Sequence, residues 1–101
     1  MSYTIKEQLA NSGNYGGSRN ASQIRYLVYH YTGNDGDRAA NNAKYFQNNI
    51  VKASAHYFVG FEGEIWQSVE ERNIAWHCGA NAYKHPECRN SNSIGIELCV
   101  R

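Results

Sequence analysis

The chain has 101 residues, which allows one small domain and no second one. Ten basic and nine acidic side chains leave a net charge of +1, too balanced for the basic surface of a nucleic-acid-binding protein. No apolar run approaches the roughly 20 residues that span a bilayer, so we expect no membrane partner. The N-terminus has no apolar segment of the kind found in a secretory signal peptide, and we therefore expect synthesis in the cytoplasm.

Residues 1–24 are predicted to form a polar N-terminal lead-in, and residues 25–101 to form the domain itself. The stretch 11–20 is rich in Gly, Asn and Ser, which predicts a surface loop. Two interpretations of this loop are open. It is a flexible linker, or its Tyr15 and Arg19 pack on the domain or line a groove.

A strand is predicted at residues 25–31, followed by a dense turn signal at 32–36. Because side chains alternate along a strand, Tyr26, Val28 and His30 share one face. His30 lies at the C-terminal end of this strand, where open α/β sheets tend to place their chemistry.

A helix is predicted over residues 38–49, with Asp37 as its N-cap. Its apolar stripe consists of Ala39, Ala43, Phe46 and Ile50, spaced as one face of a helix. This amphipathic pattern predicts a helix that covers one face of a sheet.

The C-terminal half is predicted to be mainly β-structure. Residues 55–61 and 64–69 form a hairpin around Glu62-Gly63, residues 74–77 a short strand, 78–92 a long loop and 93–100 the last strand. In the last strand, Gly95, Glu97 and Cys99 share one face. The order of elements predicts an α/β fold, a mixed sheet with a covering helix.

Four polar residues are candidates for a site. His30 is suited to bind zinc through a neutral imidazole, and Glu97 to act as general base toward a zinc-bound water. His77, beside Trp76, is suited to hydrogen-bond a substrate or a developing oxyanion. His56 begins the first hairpin strand and completes the set.

Five segments resemble the type-2 N-acetylmuramoyl-L-alanine amidases, the family of phage endolysins and bacterial autolysins that shares its fold with peptidoglycan recognition proteins. They occur in the family's order over residues 24–101: Val28-Tyr-His-Tyr-Thr32, Ser54-Ala-His-Tyr-Phe-Val59, Ile65-Trp-Gln-Ser-Val69, Ala75-Trp-His-Cys-Gly79 and Asn92-Ser-Ile-Gly-Ile-Glu-Leu98.

The resemblance implies a zinc enzyme that acts on peptidoglycan in the cell wall. Such an enzyme cuts the bond between the lactyl group of N-acetylmuramic acid and the L-alanine of the stem peptide. The resemblance also implies that His30 is the first zinc ligand and that Glu97 is the catalytic glutamate. His56 then lies beside the metal as a second catalytic residue, and Trp76 and His77 bind the muropeptide substrate.

One departure from the family pattern concerns the metal. The resemblance implies a second histidine and a cysteine or aspartate as further zinc ligands, and these would lie beyond Arg101. We therefore expect an amidase-like fold that is incomplete at its C-terminus. Missing strands and helices would expose a sheet edge, which favours self-association.

Several alternatives are open. The domain is a peptidoglycan-binding module without catalysis, or an inactive fragment of an amidase. A zinc knuckle would use Cys78, His85 and Cys88, and a cysteine hydrolase would use one of the three thiols. A further alternative is that Cys99 or Cys78 replaces a zinc ligand that would lie beyond Arg101. Another is that Cys78 and Cys88 form a disulfide.

Overall fold

The computed structural model describes residues 4–32, 38–78 and 87–99. These residues form one helix and seven strands, together with three single turns of 3₁₀-helix. The helix is α1 (Ala39–Asn48), and the strands are β1 (Ile5–Glu7), β2 (Tyr15–Ser18), β3 (Tyr26–Tyr31), β4 (Tyr57–Val59), β5 (Ile65–Gln67), β6 (Asn73–Ala75) and β7 (Ser93–Leu98).

Five of the strands form a mixed sheet in the order β1-β5-β4-β7-β3. β7 lies between β3 and β4 and is parallel to both, whereas β4 and β5 form the predicted antiparallel hairpin. In this register His30 is the neighbour of Glu97 across the β3–β7 pair. Residues that are paired in register project from the same face, so the sheet places these two side chains next to each other.

Helix α1 covers the face of the sheet that carries Phe58. Ala39 and Ala43 are almost fully buried, and their small side chains let the helix approach the sheet closely. The rings of Phe46 and Phe58 stack with their centroids 5.5 Å apart. The prediction that Ile50 belongs to the apolar stripe of the helix is wrong. The helix ends at Asn48, and Ile50 is 60% exposed.

The predicted N-cap is also corrected. Arg38 occupies the N-cap position of α1, without a side-chain hydrogen bond to the helix. Asp37 lies outside the described residues. At the other end of the chain, β7 stops at Leu98, two residues before the predicted end.

The surface loop predicted at residues 11–20 is wrong for its second half. β2 lies there and pairs antiparallel with β6, while β1 pairs parallel with β5 at the sheet edge. Asn14 is fully buried, and its amide donates to the carbonyls of Phe46 and Asn49 at 2.8 and 2.7 Å. Its Oδ1 accepts from the N–H groups of Val51 and Lys52. Asn14 therefore anchors the lead-in to the C-terminal end of α1, which rules out a flexible linker at this point.

The opposite face of β3 is apolar and exposed. Leu27, Tyr29 and Tyr31 are 58%, 59% and 72% exposed, and β3 is the edge strand of the five-stranded sheet. None of the helical segments in the part of the chain that the structure describes has the length and apolarity needed to cross a membrane.

Candidate active site

The site is built on the His30–Glu97 pair at the C-terminal ends of β3 and β7. The alternation predicted for β3 is confirmed, since His30 is half-buried while its chain neighbours Tyr29 and Tyr31 are exposed. Glu97 is half-buried and lies between His30 on one side and Phe58 on the other. The sheet register thus brings together the residues predicted as metal ligand and general base.

His77 joins this pair from the turn after β6. Its Nδ1 lies 3.1 Å from His30 Nε2, and its Nε2 lies 2.9 Å from the hydroxyl of Ser93. Burial lowers the pKa of His77 to about 4, and the nearby His30, His56 and Arg19 act in the same direction. His77 is therefore neutral at pH 7.

Two further residues hold His77 in place. The side-chain carbonyl of Asn90 accepts hydrogen bonds from the backbone N–H groups of His77 and Cys78, at 3.1 and 2.8 Å. Gly95 leaves the space that the imidazole ring fills, because a Cβ at this position would lie 2.4 Å from Cγ of His77. No sequence motif predicted a role for Asn90 or Ser93. Strand alternation did place Gly95 on the same face as Glu97.

His56 is fully buried just before β4. Its Nδ1 accepts a hydrogen bond from the Gly95 N–H at 3.1 Å, and its Nε2 lies 2.9 Å from the Asn73 carbonyl. A carbonyl can only accept, so Nε2 carries the hydrogen and the ring is neutral. Burial lowers the pKa of His56, in keeping with this assignment. The structure therefore places His56 beneath the site with both nitrogens bonded inside the protein.

Arg19 is a buried cation that the lead-in contributes to the same region. It is 7% exposed, and it donates to the carbonyls of Glu71, Asn90 and Ser93 at 2.8 to 3.1 Å. Its guanidinium also lies 3.2 Å from His56 Nε2. Of the two interpretations left open by the sequence, packing on the domain is confirmed for Arg19.

A cavity of about 620 Å³ opens beside these residues. Glu97, His77 and Trp76 line one part of it, and polar side chains of α1 line another. The backbone N–H of Trp76 donates to Ser54 Oγ at 3.0 Å, which fixes the chain where it leaves β6. The α1 contribution comes from Asn41, Asn42 and Tyr45.

The cysteines do not complete a metal site. None of the three cysteines is in a disulfide in the structure, so the Cys78–Cys88 pairing is not formed there. Cys99 is buried in the core beneath α1, and Cys78 Sγ lies 3.8 Å from His77 Nδ1. His85 of the suggested zinc knuckle lies outside the described residues. Within residues 4–32, 38–78 and 87–99, no group of three or more His, Cys, Asp or Glu side chains is placed to hold a metal ion.

Comparison with known proteins agrees with this architecture. The family profile described as N-acetylmuramoyl-L-alanine amidase matches residues 20–101. The amidase AmiD of Escherichia coli is 37% identical over 83 residues, which cover 75% of this chain and 28% of AmiD. The amidase BlyA of Bacillus subtilis is 33% identical over 89 residues, which cover 76% of this chain and 24% of BlyA. The chain belongs to the N-acetylmuramoyl-L-alanine amidase family, and it spans less than a third of the length of these two relatives.

Solved structures confirm the fold. A mutant endolysin from Bacillus subtilis superposes with a TM-score of 0.77 at 28% identity, covering 97% of this chain and 62% of the endolysin chain. The catalytic domain of XlyA gives a TM-score of 0.73 at 27% identity, covering 95% of this chain and 61% of that domain. The predicted α/β fold, a mixed sheet with a covering helix of the amidase type, is thus confirmed.

Proposed function

We propose that this chain is the core of a zinc-dependent amidase that acts on peptidoglycan in the cell wall. The bond cut would join the lactyl carbonyl of N-acetylmuramic acid to the nitrogen of L-alanine. The observation that supports this proposal is the pairing of His30 with Glu97 beside a cavity of about 620 Å³, with His77 in contact with His30. Family membership supports the same reaction.

Zinc fits the described residues in part. Imidazole nitrogen is a preferred zinc donor, and His30 supplies one next to Glu97. A catalytic zinc takes three protein ligands, and the described residues do not provide such a set. When bound, zinc would lower the pKa of a water molecule to about 7 and so make hydroxide available at neutral pH. We propose His30 as the ligand that this part of the chain contributes.

Glu97 is proposed as the general base. Its carboxylate lines the cavity next to His30, where it would take a proton from the attacking water. The proton would then pass to the nitrogen of L-alanine as the amide C–N bond breaks. The products are a lactyl carboxylic acid on the sugar and a stem peptide with a free α-amino group.

The remaining site residues are proposed to act through substrate binding and support. Trp76 and His77 form a wall of the cavity and would contact the muropeptide. His56 would support β7 at Gly95 beneath the catalytic pair, since both its nitrogens are used inside the protein. The domain division at residue 24 remains a prediction, although β1 and β2 pair with strands on the other side of it.

A second function is favoured by one observation. Because the described residues do not form a three-ligand metal site, a peptidoglycan-binding module without catalysis is the competing candidate. Both candidates share the cavity, so substrate binding does not separate them. Product formation does.

The test is to incubate the purified protein with a muropeptide and one equivalent of zinc, and to follow free stem peptide by mass spectrometry. The amidase predicts a new peptide that begins with L-alanine, together with an intact sugar chain. A chain that binds the muropeptide and releases no peptide at any zinc concentration would contradict the amidase and support the binding module.

A further inference from the structure

The N-terminal lead-in packs against the wall of the cavity that Trp76 and His77 form. Strand β2 pairs antiparallel with β6, the strand that leads into these two residues. Gly16 of β2 lies directly against the indole, since a Cβ at this position would be 3.0 Å from Nε1 of Trp76. A glycine lets another part of the chain approach a strand this closely. The next residue, Gly17, has no described atom within 4 Å of its Cβ position.

The lead-in reaches the same wall a second time through Arg19. The guanidinium nitrogen Nη1 donates to the carbonyl oxygens of Asn90 and Ser93, at 3.1 and 2.8 Å. These two residues hold His77. Asn90 Oδ1 accepts from the backbone N–H of His77, and Ser93 Oγ lies 2.9 Å from the imidazole Nε2. One buried cation therefore fixes both supports of His77.

The two contacts act on the wall in different ways. Gly16 limits the position of the Trp76 ring by close packing, whereas Arg19 acts on His77 through hydrogen bonds to its supports. A wall that is already ordered loses less side-chain freedom when a ligand binds, which favours affinity. The family profile matches residues 20–101, so both contacts come from residues that precede the matched region.

We propose that residues 15–19 are a positioning segment for the substrate, because they hold Trp76 and His77 in the arrangement that binds the muropeptide. The inference rests on the proposed function only in taking the muropeptide as the ligand of the cavity. It applies equally to an amidase and to a binding module without catalysis, and it requires no metal ion.

The test measures the affinity of variants for an N-acetylmuramoyl tripeptide by isothermal titration calorimetry, with EDTA present. Gly16→Val places methyl groups against the indole of Trp76, and we expect the dissociation constant to rise about 10-fold. Gly17→Val is the matched control, because the same change on the same strand meets open space, and it should bind like the wild type. The indole N–H signal of Trp76 in ¹H–¹⁵N spectra should shift in Gly16→Val and stay unchanged in Gly17→Val.

A second pair of variants tests the route from Arg19 to His77 and separates positioning from stability. Asn90→Leu removes the acceptor of the His77 and Cys78 N–H groups. Asn92→Leu removes two hydrogen bonds of the same loop that do not reach the wall. We expect both to lower the free energy of unfolding and only Asn90→Leu to raise the dissociation constant. Asn90→Asp keeps the acceptor oxygen and should restore the affinity, whereas wild-type affinity in Asn90→Leu would overturn the part assigned to Arg19.

The outcomes separate this inference from the proposed function. A folded Gly16→Val with wild-type affinity would overturn the inference, as would equal losses in Gly16→Val and Gly17→Val. If Gly16→Val does not fold, the pair Gly16→Ala and Gly17→Ala makes the same comparison with a smaller displacement. A wild-type protein that does not bind the tripeptide would contradict both the inference and the proposed function. A loss of affinity in Gly16→Val, with no peptide released by the wild type in zinc, would support the inference while contradicting the amidase.

Discussion

Replacing Arg19 tests whether the N-terminal lead-in is part of the folded domain. In Arg19→Met, the carbonyls of Glu71, Asn90 and Ser93 each lose a hydrogen bond from a charged donor. A hydrogen bond to a charged group contributes about 1.5–3 kcal/mol, so three such bonds give a gross loss of about 4.5–9 kcal/mol. Burial lowers the pKa of Arg19, which shows that holding this cation here has a desolvation cost. Relief of that cost and the apolar packing of Met offset part of the loss, and we expect a net destabilisation of about 3–4 kcal/mol.

The assay is urea unfolding at pH 7.5, followed by the fluorescence of the two tryptophans. The matched control is Arg72→Met, because the Arg72 side chain is 73% exposed and its ion pair with Glu70 is on the surface. We expect this control to change the free energy of unfolding by less than about 0.5 kcal/mol. Equal stability of the two variants would refute the conclusion that Arg19 ties the lead-in to β7.

Three further predictions concern pH, packing and association. Burial lowers the pKa values of His56 and His77 in the folded state. Below about pH 6.5 the unfolded state therefore binds more protons than the folded state, and the free energy of unfolding decreases as the pH is lowered. Urea unfolding should show a loss of about 1–3 kcal/mol between pH 7.5 and 4.5, and a flat profile would contradict this. Gly95→Ala should cost about 1–3 kcal/mol and shift the ring signals of His77, whereas Gly17→Ala, with open space around its Cβ, should do neither. Replacing Leu27, Tyr29 and Tyr31 on the exposed face of β3 by threonine should lower self-association, measured by sedimentation velocity. An unchanged distribution of sedimentation coefficients would exclude β3 as the site of association.

The strands and the helix that carry the site could be predicted from local patterns. Alternation along β3 and β7 gave the correct face for His30 and Glu97, and the hairpin was marked by two β-rich runs around a turn. These elements are self-consistent, because hydrophobic period and turn residues indicate the same structure. The strand neighbours of β7 could not be predicted this way, since register depends on contacts distant in sequence.

The lead-in was mispredicted for a physical reason. β1 and β2 have only three and four residues, and β2 consists of Tyr-Gly-Gly-Ser, which has low intrinsic β-propensity. Their stability comes from pairing with β5 and β6 and from the four hydrogen bonds of buried Asn14. A sequence pattern does not reveal such partners.

The support of the site was equally hidden. His77 was predicted from its neighbour Trp76, but its contact with His30 depends on the amide of Asn90 and the hydroxyl of Ser93. The burial of His56 also follows from distant partners, Gly95 and Asn73. Short local motifs indicated the candidate residues, whereas the hydrogen bonds that orient these side chains come from residues distant in sequence.

The most direct test of the account compares wild type, Glu97→Gln and His30→Ala with a muropeptide and zinc, measuring both bound zinc and released stem peptide. Glu62→Gln, in the exposed turn of the hairpin, is the matched control. We predict that Glu97→Gln binds zinc like the wild type and releases no L-alanine-terminated peptide, and that His30→Ala loses both properties. Release of the peptide by Glu97→Gln at the wild-type rate would contradict the assignment of Glu97 as the general base.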